Sequence, residues 1–251
     1  MELERIFPEP GRVATERLPE ELAFAARAGA DRPFVALNMA ATADGRTAVG
    51  GVSGPIGGAG DRALFGALRA SVDAILVGSA TVAAEGYGRL VRDARLRELR
   101  VTAGRAEDPH AILVTRSGEL PWDAPLFAAE GQPVLVVCEH GAVGVPDGLP
   151  AAVEVVECDE PTPAAALRSA RARGIGSVLC EGGPRLARAL LADGLLDELF
   201  LTIGPLLAGG EDAPGVLAGP PLPEPVALAL KWVLRHEDEL LLRYEVDAGV
   251  S

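Results

Sequence analysis

Residues 179–186 read Leu-Cys-Glu-Gly-Gly-Pro-Arg-Leu, and this octet constrains the fold more than any other segment of the 251-residue chain. An apolar run ends there at an acid and two glycines, and a proline then opens a stretch of helix-forming residues that reaches Ala192. Proline fits a first helical turn because the N–H that it lacks would have no intrahelical partner. The order predicts a buried strand, a tight turn and a helix whose N-terminus attracts anions such as a pyrophosphate.

Four further segments also follow apolar runs and contain glycine. They span residues 40–46, 53–58, 77–88 and 201–210. Each can lie at the carboxyl edge of a sheet, where α/β proteins form ligand sites, so their coincidence favours one site built from several loops. Strands that alternate with helices indicate crossover connections. We therefore expect an α/β fold with a mixed, mostly parallel sheet that is flanked by helices.

The two ends of the chain have patterns of their own. Two alternating apolar runs flank a polar turn at Glu237 and Asp238 and predict a C-terminal antiparallel hairpin with one buried face. The alternating residues are Leu228, Leu230, Trp232 and Leu234, then Leu240, Leu242, Tyr244 and Val246. Residues 1–32 are interpreted as an N-terminal arm with a short helix from about Pro19 to Ala28, and residues 33–251 as a single domain. Residues 86–108 are charged and weakly periodic, which predicts a variable surface segment.

Composition excludes several classes of function. The formal net charge of −13 argues against a nucleic-acid-binding protein, which usually has a basic face. No apolar stretch approaches the roughly 20 residues of a membrane span, and the acidic N-terminus leads to no signal-peptide core. The three cysteines lack metal-ligand spacing and imply no disulfide framework. We expect a cytoplasmic protein without a metal, in which Cys180 is a buried strand residue rather than a nucleophile.

Taken in order, the glycine-containing segments resemble the reductase domain of bacterial riboflavin biosynthesis, which has a dihydrofolate-reductase-like fold. The resemblance covers roughly Arg32 to Val246. It implies the reduction of a ribosylaminopyrimidine phosphate by NADPH, as in 5-amino-6-(5-phosphoribosylamino)uracil reductase, with hydride passing from C4 of the nicotinamide to C1 of the ring-opened sugar. The cofactor would carry the chemistry and the protein would orient it. The resemblance also implies a homodimer that forms through sheet-edge segments.

The resemblance assigns roles to individual residues. Cofactor contacts fall on Ala40, Thr81, Glu85, Ser117, Gly182, Gly183, Pro184, Arg185 and Leu186. Substrate contacts fall on Ser53, Arg69 and Arg92, and arginine suits a phosphate because its planar fork donates two parallel hydrogen bonds. Thr115, Arg116 and Ser117 follow an apolar run where a pocket for the adenosine 2′-phosphate can form.

Two carboxylates are candidate catalytic residues. Glu181 lies between the glycine turn and the strand, where it can accept hydrogen bonds from the ring or amino N–H groups of a substrate. Asp44 follows the first strand of the domain, although Asp-Gly is also typical of an ordinary turn.

The chain departs from the riboflavin-pathway pattern at two positions. Asn38, a candidate substrate-binding residue, replaces a common lysine, and Pro55 replaces a common tryptophan. The Glu-Gly-Tyr sequence at residues 85–87 is similar to a stand-alone actinobacterial subgroup with which dihydrofolate-type substrates have been associated. Two alternatives therefore stay open: a dihydrofolate reductase-like activity, and a nucleotide-binding sensor that has lost turnover.

Overall fold

The computed structural model describes residues 1–210 and 213–247, which form one eleven-stranded sheet and six α-helices. The strands are β1 (Glu2–Phe7), β2 (Gly11–Ala14), β3 (Phe34–Thr42), β4 (Ala74–Leu76), β5 (His110–Thr115), β6 (Pro133–Cys138), β7 (Ala152–Glu157), β8 (Ser177–Cys180), β9 (Glu198–Gly204), β10 (Leu228–His236) and β11 (Glu239–Val246). The helices are α1 (Leu18–Leu22), α2 (Ala59–Ser71), α3 (Ser79–Glu85), α4 (Ala94–Thr102), α5 (Pro163–Ala172) and α6 (Pro184–Ala192). The strand order is β2-β1-β10-β11-β9-β3-β8-β4-β5-β6-β7.

Seven neighbouring strands, from β9 to β7 in that order, are parallel. Their carboxyl ends therefore meet at one edge of the sheet. Every residue of β4 and β8 is buried, as expected of strands that are covered by helices on both faces. Cys180, the last residue of β8, is buried as predicted, and burial raises its pKa to about 12. The predicted fold class is confirmed.

Two apolar cores lie on the two faces of the sheet. Alternate residues of β3 point to opposite faces, so Phe34 and Ala36 join the core beneath α2, whereas Val35 and Leu37 join the core beneath α5 and α6. Asn38 and Ala40, further along β3, point to the same sheet face as Phe34 and Ala36, the face that α2 covers, and they reach the carboxyl edge of the sheet. That face carries the site.

The first 32 residues are integrated into the sheet, which the sequence did not predict. β1 pairs with β10 and with β2, and Leu3 and Leu18 are fully buried. The expected helix from Pro19 to Ala28 is interrupted, because α1 ends at Ala23 in a left-handed conformation and a short 3₁₀ turn follows. The division of the chain at residue 32 stays a prediction.

Residues 86–108 lie mostly at the surface, as predicted, but they contain a helix that the sequence did not predict. This stretch contains α4, and its Leu90, Val91 and Arg100 side chains are buried. Arg100 donates to the carbonyl oxygens of Arg69, Ala70 and Val72 at the end of α2. Burial lowers its pKa to about 10. A buried arginine that is satisfied by carbonyl groups leaves no apolar periodicity, so the segment resembled solvent-exposed chain.

The predicted C-terminal hairpin is confirmed, but the prediction that each strand keeps a single buried face was wrong. Trp232 and Leu234 point into the core beneath α2, whereas Leu228, Leu230 and Leu240 are exposed. A β-bulge between Leu230 and Trp232 inserts one residue and transfers the alternation from one face to the other. Sequence alternation does not reveal such an insertion.

In the described ranges, no helix has both the length and the apolar character needed to cross a membrane. The same residues contain no cluster of His, Cys, Asp and Glu that could hold a metal ion.

Candidate active site

A cavity of about 880 Å³ opens at the carboxyl edge of the parallel strands, between the sheet and α2. Asn38 and Ala40 of β3 line its floor, and Thr81 of α3 lies beside the Gly183-Pro184 turn at one side. Its volume falls in the range of pockets that hold small molecules and cofactors. The octet and the segments at residues 53–58 and 77–88 therefore converge on one space, whereas only Ala40 of residues 40–46 and no residue of 201–210 lines it.

One face of α2 forms the opposite wall. Asp61, Phe65 and Arg69 all line the cavity and are spaced by four residues, which places them one above another on the helix. We call these three residues the α2 stripe. It presents an acid, an aromatic ring and a base to the sheet.

Arg69 and Glu181 form a buried, bidentate ion pair. Arg69 Nε and Nη2 donate to Glu181 Oε1 and Oε2 at 2.8 and 2.7 Å, and Arg69 Nη1 donates to the Leu90 carbonyl oxygen at 2.9 Å. The Tyr87 hydroxyl donates to Glu181 Oε2 at 2.8 Å. The guanidinium also lies 4.1 Å from the Phe65 ring centroid and 5.2 Å from that of Tyr87. We call Arg69, Glu181 and Tyr87 the Glu181 cluster.

Electrostatics hold two members of the Glu181 cluster, Tyr87 and Arg69, in one protonation state each. Burial, together with the negative charge of Glu181, raises the pKa of Tyr87 well above its usual value. Burial lowers the pKa of Arg69, but Glu181 and Tyr87 raise it, and the net pKa lies above its ordinary value. Tyr87 therefore stays a hydrogen-bond donor and Arg69 stays charged. Glu181 Oε1 accepts only one of these hydrogen bonds, which leaves it a lone pair for another donor.

The glycine turn of the octet permits a close approach between two strand-to-helix connections. A Cβ on Gly182 would lie 2.3 Å from Leu186 Cδ2 and 3.3 Å from the backbone nitrogen of Gly78, which follows β4. The Gly183 N–H donates to Thr81 Oγ1 at 3.3 Å. This packing brings the N-terminus of α6 to the cavity, where backbone N–H groups favour an anion.

The loop before α2 is fixed to its surroundings at two points. The Ser53 N–H and hydroxyl donate to Glu85 Oε1 at 2.9 and 3.0 Å. A Cβ on Gly204 would lie 2.2 Å from the Ile56 carbonyl oxygen, so glycine at the end of β9 lets the loop approach the sheet. Ser53 and Glu85, which were assigned to substrate and to cofactor, thus contact each other.

Asp61 differs from the other acids of the cavity because a second carboxylate is nearby. Burial raises its pKa, and the charge of Glu239 raises it further, whereas the Thr202 hydroxyl and Arg62 lower it. The net pKa lies above the ordinary value. The buried Thr202 hydroxyl influences Asp61 but does not reach the geometry of a hydrogen bond.

The structure brings ten of the predicted site residues to the cavity wall: Asn38, Ala40, Ser53, Arg69, Thr81, Glu85, Arg92, Glu181, Gly183 and Pro184. Seven others lie outside its lining: Asp44, Thr115, Arg116, Ser117, Gly182, Arg185 and Leu186. Gly182 and Leu186 nevertheless shape the turn beside the cavity. The roles of all seventeen residues stay predictions.

Asp44 holds a loop together. Its Oδ1 accepts from the Thr42 hydroxyl at 2.5 Å and from the Ala208 N–H at 3.1 Å, and Oδ2 accepts from the Gly209 N–H at 2.7 Å. These bonds, with that from Thr42 largest, lower its pKa to about 2. The geometry favours the turn interpretation of Asp44 over a catalytic one.

Arg116 lines a second, smaller cavity of about 270 Å³ at the ends of β5, β6 and β7. Glu139, Asp159 and Glu160 line it as well. Thr115 and Ser117 turn away to brace the loop, where their hydroxyl oxygens accept from the N–H groups of Gly118 and Glu119. Of this triplet, Arg116 is therefore the side chain available to a ligand.

Sequence reasoning did not assign to the site many of the residues that line the large cavity, among them Asp61, Arg62, Phe65, Tyr87 and Arg95. The four-residue spacing of Asp61, Phe65 and Arg69 was a signal that could have identified the α2 stripe. Tyr87 was noted only as part of the Glu-Gly-Tyr sequence. Arg95 had no usable signal, because α4 itself was not predicted.

Comparison with known proteins shows the relationships of the chain. Residues 33–242 match the family model described as the RibD C-terminal domain. A 2,5-diamino-6-ribosylamino-4(3H)-pyrimidinone 5′-phosphate reductase of Methanothermobacter thermautotrophicus is 31% identical over 220 residues, covering 86% of this chain and 99% of that protein. A protein of the same name from Archaeoglobus fulgidus is 29% identical over 191 residues, covering 75% of this chain and 87% of that protein.

Solved structures show the same relationship. Acinetobacter baumannii RibD superimposes with a TM-score of 0.70 at 25% identity, over 87% of this chain and 59% of that chain. A pyrimidine reductase-like protein of Corynebacterium diphtheriae has a TM-score of 0.75 at 24% identity, over 94% of this chain and 99% of that chain. The latter likeness is one of fold alone.

Proposed function

The chain belongs to the RibD C-terminal domain family, and from this premise we propose that it is an NADPH-dependent reductase of a ribosylaminopyrimidine 5′-phosphate. The relatives named as pyrimidinone phosphate reductases support the reaction class, because one of them aligns over 99% of its own length. In this proposal the reduced nicotinamide supplies a hydride, and the protein binds, orients and protonates the substrate.

The observation that carries the proposal is the charge distribution of the large cavity. The glycine turn and the N-terminus of α6 lie on one side, and Arg62, Arg92 and Arg95 also line the wall. In the described ranges, none of these three arginines forms an ion pair. Guanidinium groups that form no ion pair suit a dianionic phosphate, although the carboxyl groups of Asp61, Glu85 and Asp93 line the same cavity.

The proposal divides the basic residues differently from the resemblance alone. Arg69 is committed to Glu181 and to the Leu90 carbonyl oxygen, so we assign it the positioning of Glu181. The phosphate then falls to Arg92, with Arg62 and Arg95 nearby on the same wall. Glu181 Oε1 keeps a lone pair that can accept a hydrogen bond from an N–H or hydroxyl group of the substrate.

Residues of this chain fit a dinucleotide. The absence of a Cβ on Gly182 makes room for Leu186 and Gly78, and the turn packed in this way brings the N-terminus of α6 to the cavity, where we place the pyrophosphate. Arg116, which is exposed at the end of β5, is the cation proposed for the 2′-phosphate of NADPH. The carboxylates of the same small cavity repel an anion. In this proposal the preference for NADPH over NADH therefore depends on Arg116 alone.

NADPH oxidation tests the function directly. The test substrates are the ribosylamino compounds of the diaminopyrimidinone and of the aminouracil, each as its 5′-phosphate and in dephosphorylated form. Dihydrofolate is the fifth. We expect turnover of a phosphorylated pyrimidine, and we expect Arg92→Ala to raise its KM while the dephosphorylated substrate is unaffected. Turnover of dihydrofolate alone would establish the second activity instead. Saturable NADPH binding without turnover of any substrate would contradict the proposal and favour a sensor.

We also propose a homodimer. Leu228, Leu230 and Leu240 lie exposed on the same sheet face, which α5 and α6 leave uncovered at this end. Exposed apolar surface of this kind usually marks a contact with another protein. Light scattering should give twice the 25.9 kDa mass of the chain, and Leu230→Glu with Leu240→Glu should return the mass to that of a monomer. A wild-type mass near 25.9 kDa at micromolar concentration would contradict the dimer.

A further inference from the structure

Asp61 occupies a distinctive place in the cavity. It lies in the first turn of α2, at the end of the α2 stripe opposite Arg69. Thr202 of β9, whose hydroxyl influences Asp61, is the register partner of Ala40 on β3. Register partners of parallel strands place their side chains on the same face, so Asp61 lies over the strand ends where Ala40 reaches the cavity floor. Ala40 is a residue that the resemblance assigns to the cofactor.

The groups around Asp61 leave its carboxyl uncompensated. Glu239 of β11 is buried, and its oxygens accept from the backbone N–H groups of Gly58 and Gly60. His236 of β10 lies behind it, with Nδ1 3.8 Å from Glu239 Oε2. Arg62 is the cation that lowers the pKa of Asp61, but it forms no ion pair with Asp61 in the part of the chain that the structure describes.

We propose that Asp61 is the proton donor of the reduction. The proposal rests on the proposed function, because it concerns the same reaction at the same site. The ring-opened ribosylamine carries a C=N bond between C1 of the sugar and the amino nitrogen. A bound reduced nicotinamide would supply hydride to that carbon, and the π electrons of the bond would then move to nitrogen. The nitrogen takes the proton as the Asp61 Oδ–H bond breaks. Asp61 is left as a carboxylate and regains a proton from water.

Other groups of the cavity are poor donors of that proton. Glu181 is paired with Arg69, and the Tyr87 pKa is raised well above its usual value. Glu85 and Asp93 already accept backbone hydrogen bonds from Ser53 and Arg95. Asp61 is the carboxyl of the cavity wall whose surroundings favour the protonated form. A general acid is most effective when its pKa is close to the working pH.

The test compares Asp61→Asn with Asp93→Asn, a matched control that changes another aspartate of the same cavity wall. We expect Asp61→Asn to lower kcat by about 100-fold or more, with the Kd for NADPH changed less than about twofold. Asp93→Asn should keep kcat within about threefold of wild type. Wild-type kcat should fall as pH rises through the raised pKa of Asp61, because the acid form is needed, and Asp61→Asn should lack that decline.

The outcomes separate this inference from the proposed function. A wild-type enzyme that binds NADPH but turns over none of the substrates overturns both. A wild-type enzyme that is active, with an Asp61→Asn variant that is equally active and has the same pH profile, overturns the proton donor alone. If Asp61→Asn unfolds or loses NADPH binding, the wild-type profile decides, since a kcat that is constant between about pH 5 and 9 overturns the assignment.

Discussion

Two carboxyl groups, those of Glu181 and Asp61, line the same cavity, and their surroundings differ sharply. Glu181 extends from the sheet and meets Arg69 and Tyr87 in three hydrogen bonds. Asp61 extends from α2 and has a second carboxylate, Glu239, as its charged neighbour on the hairpin. Glu181 is buried and Asp61 is half-buried. Their charged partners differ as well, because Glu181 is paired with Arg69, whereas burial and the charge of Glu239 raise the pKa of Asp61.

After Asp61→Asn, the largest effect that the comparison predicts belongs to Glu181→Gln. The amide keeps the shape of the side chain but leaves Arg69 without a full countercharge, and the substrate-facing acceptor changes character. We expect kcat/KM to fall by about 100-fold, as small misplacements in an active site often cause. NADPH affinity should be unchanged or slightly higher, which a fluorescence titration beside steady-state kinetics measures.

Glu154→Gln is the matched control for Glu181→Gln, because Glu154 pairs with Arg173 on the exposed surface. It should leave both kinetics and NADPH binding unaltered. If NADPH binding collapses in Glu181→Gln while the substrate parameters hold, Glu181 belongs to the cofactor side and the comparison with Asp61 loses its basis.

A smaller effect is expected on the cofactor side, where a substitution should change the affinity for NADPH rather than the kinetics on the substrate. Arg116→Ala should weaken NADPH by about tenfold or more, since charge-assisted hydrogen bonds contribute about 1.5–3 kcal/mol, and should leave NADH nearly unchanged. Isothermal titration with both dinucleotides measures the difference. Equal losses for NADPH and NADH, or equal wild-type affinities, would remove Arg116 from the 2′-phosphate site.

Tyr87→Phe sharpens the comparison by removing one bond of the Glu181 cluster and keeping the aromatic ring beside Arg69. We expect kcat/KM to fall about three- to tenfold, because the ion pair that does most of the positioning remains. The Asp61-dependent decline of kcat at high pH should be retained. A change in that pH profile in Tyr87→Phe would show that the two carboxyl groups are coupled.

The smallest effect concerns Asp44, a carboxylate in solvent. Its pKa is lowered to about 2, so its contribution to stability is present above the ordinary aspartate pKa and is lost as pH falls toward that value. Asp44→Asn should therefore lower Tm slightly near neutral pH and have less effect at about pH 2. Asp147→Asn, in another exposed loop, is the control. Calorimetry that finds no pH dependence of the difference would contradict this account.

The sequence predicted the elements whose signals are local. The octet, the parallel strands and the hairpin all follow from runs of apolar residues and from glycine and proline positions. β1 was missed because Glu2, Glu4 and Arg5 dilute its apolar pattern, and its partner β10 is more than 200 residues away in the chain. Pairing over such a distance is a tertiary property that no window of sequence records.

The site was predicted unevenly for a similar reason. A glycine turn has a local sequence signal, so the sequence located the turn that lies beside the cavity. The role of Arg69 was not predicted, because its partner Glu181 lies 112 residues further along the chain. Asp61 was overlooked because an acid in the first turn of a helix is ordinarily explained by the helix dipole. Its place in the cavity wall and the influence of Glu239 on its pKa are visible only in the structure.

The hydrogen bonds that anchor the start of α2 have a consequence for the order in which parts of the chain become fixed during synthesis. Glu239 holds the start of α2 through Gly60, a residue 179 positions earlier. A nascent chain that has emerged as far as β9 already contains Asp61, Phe65 and Arg69, yet lacks the residue that fixes their helix. Synthesis proceeds from the N-terminus at about 5–20 residues per second, so the α2 stripe waits several seconds for this support. The hairpin thus sets the moment at which the start of α2 is held in place.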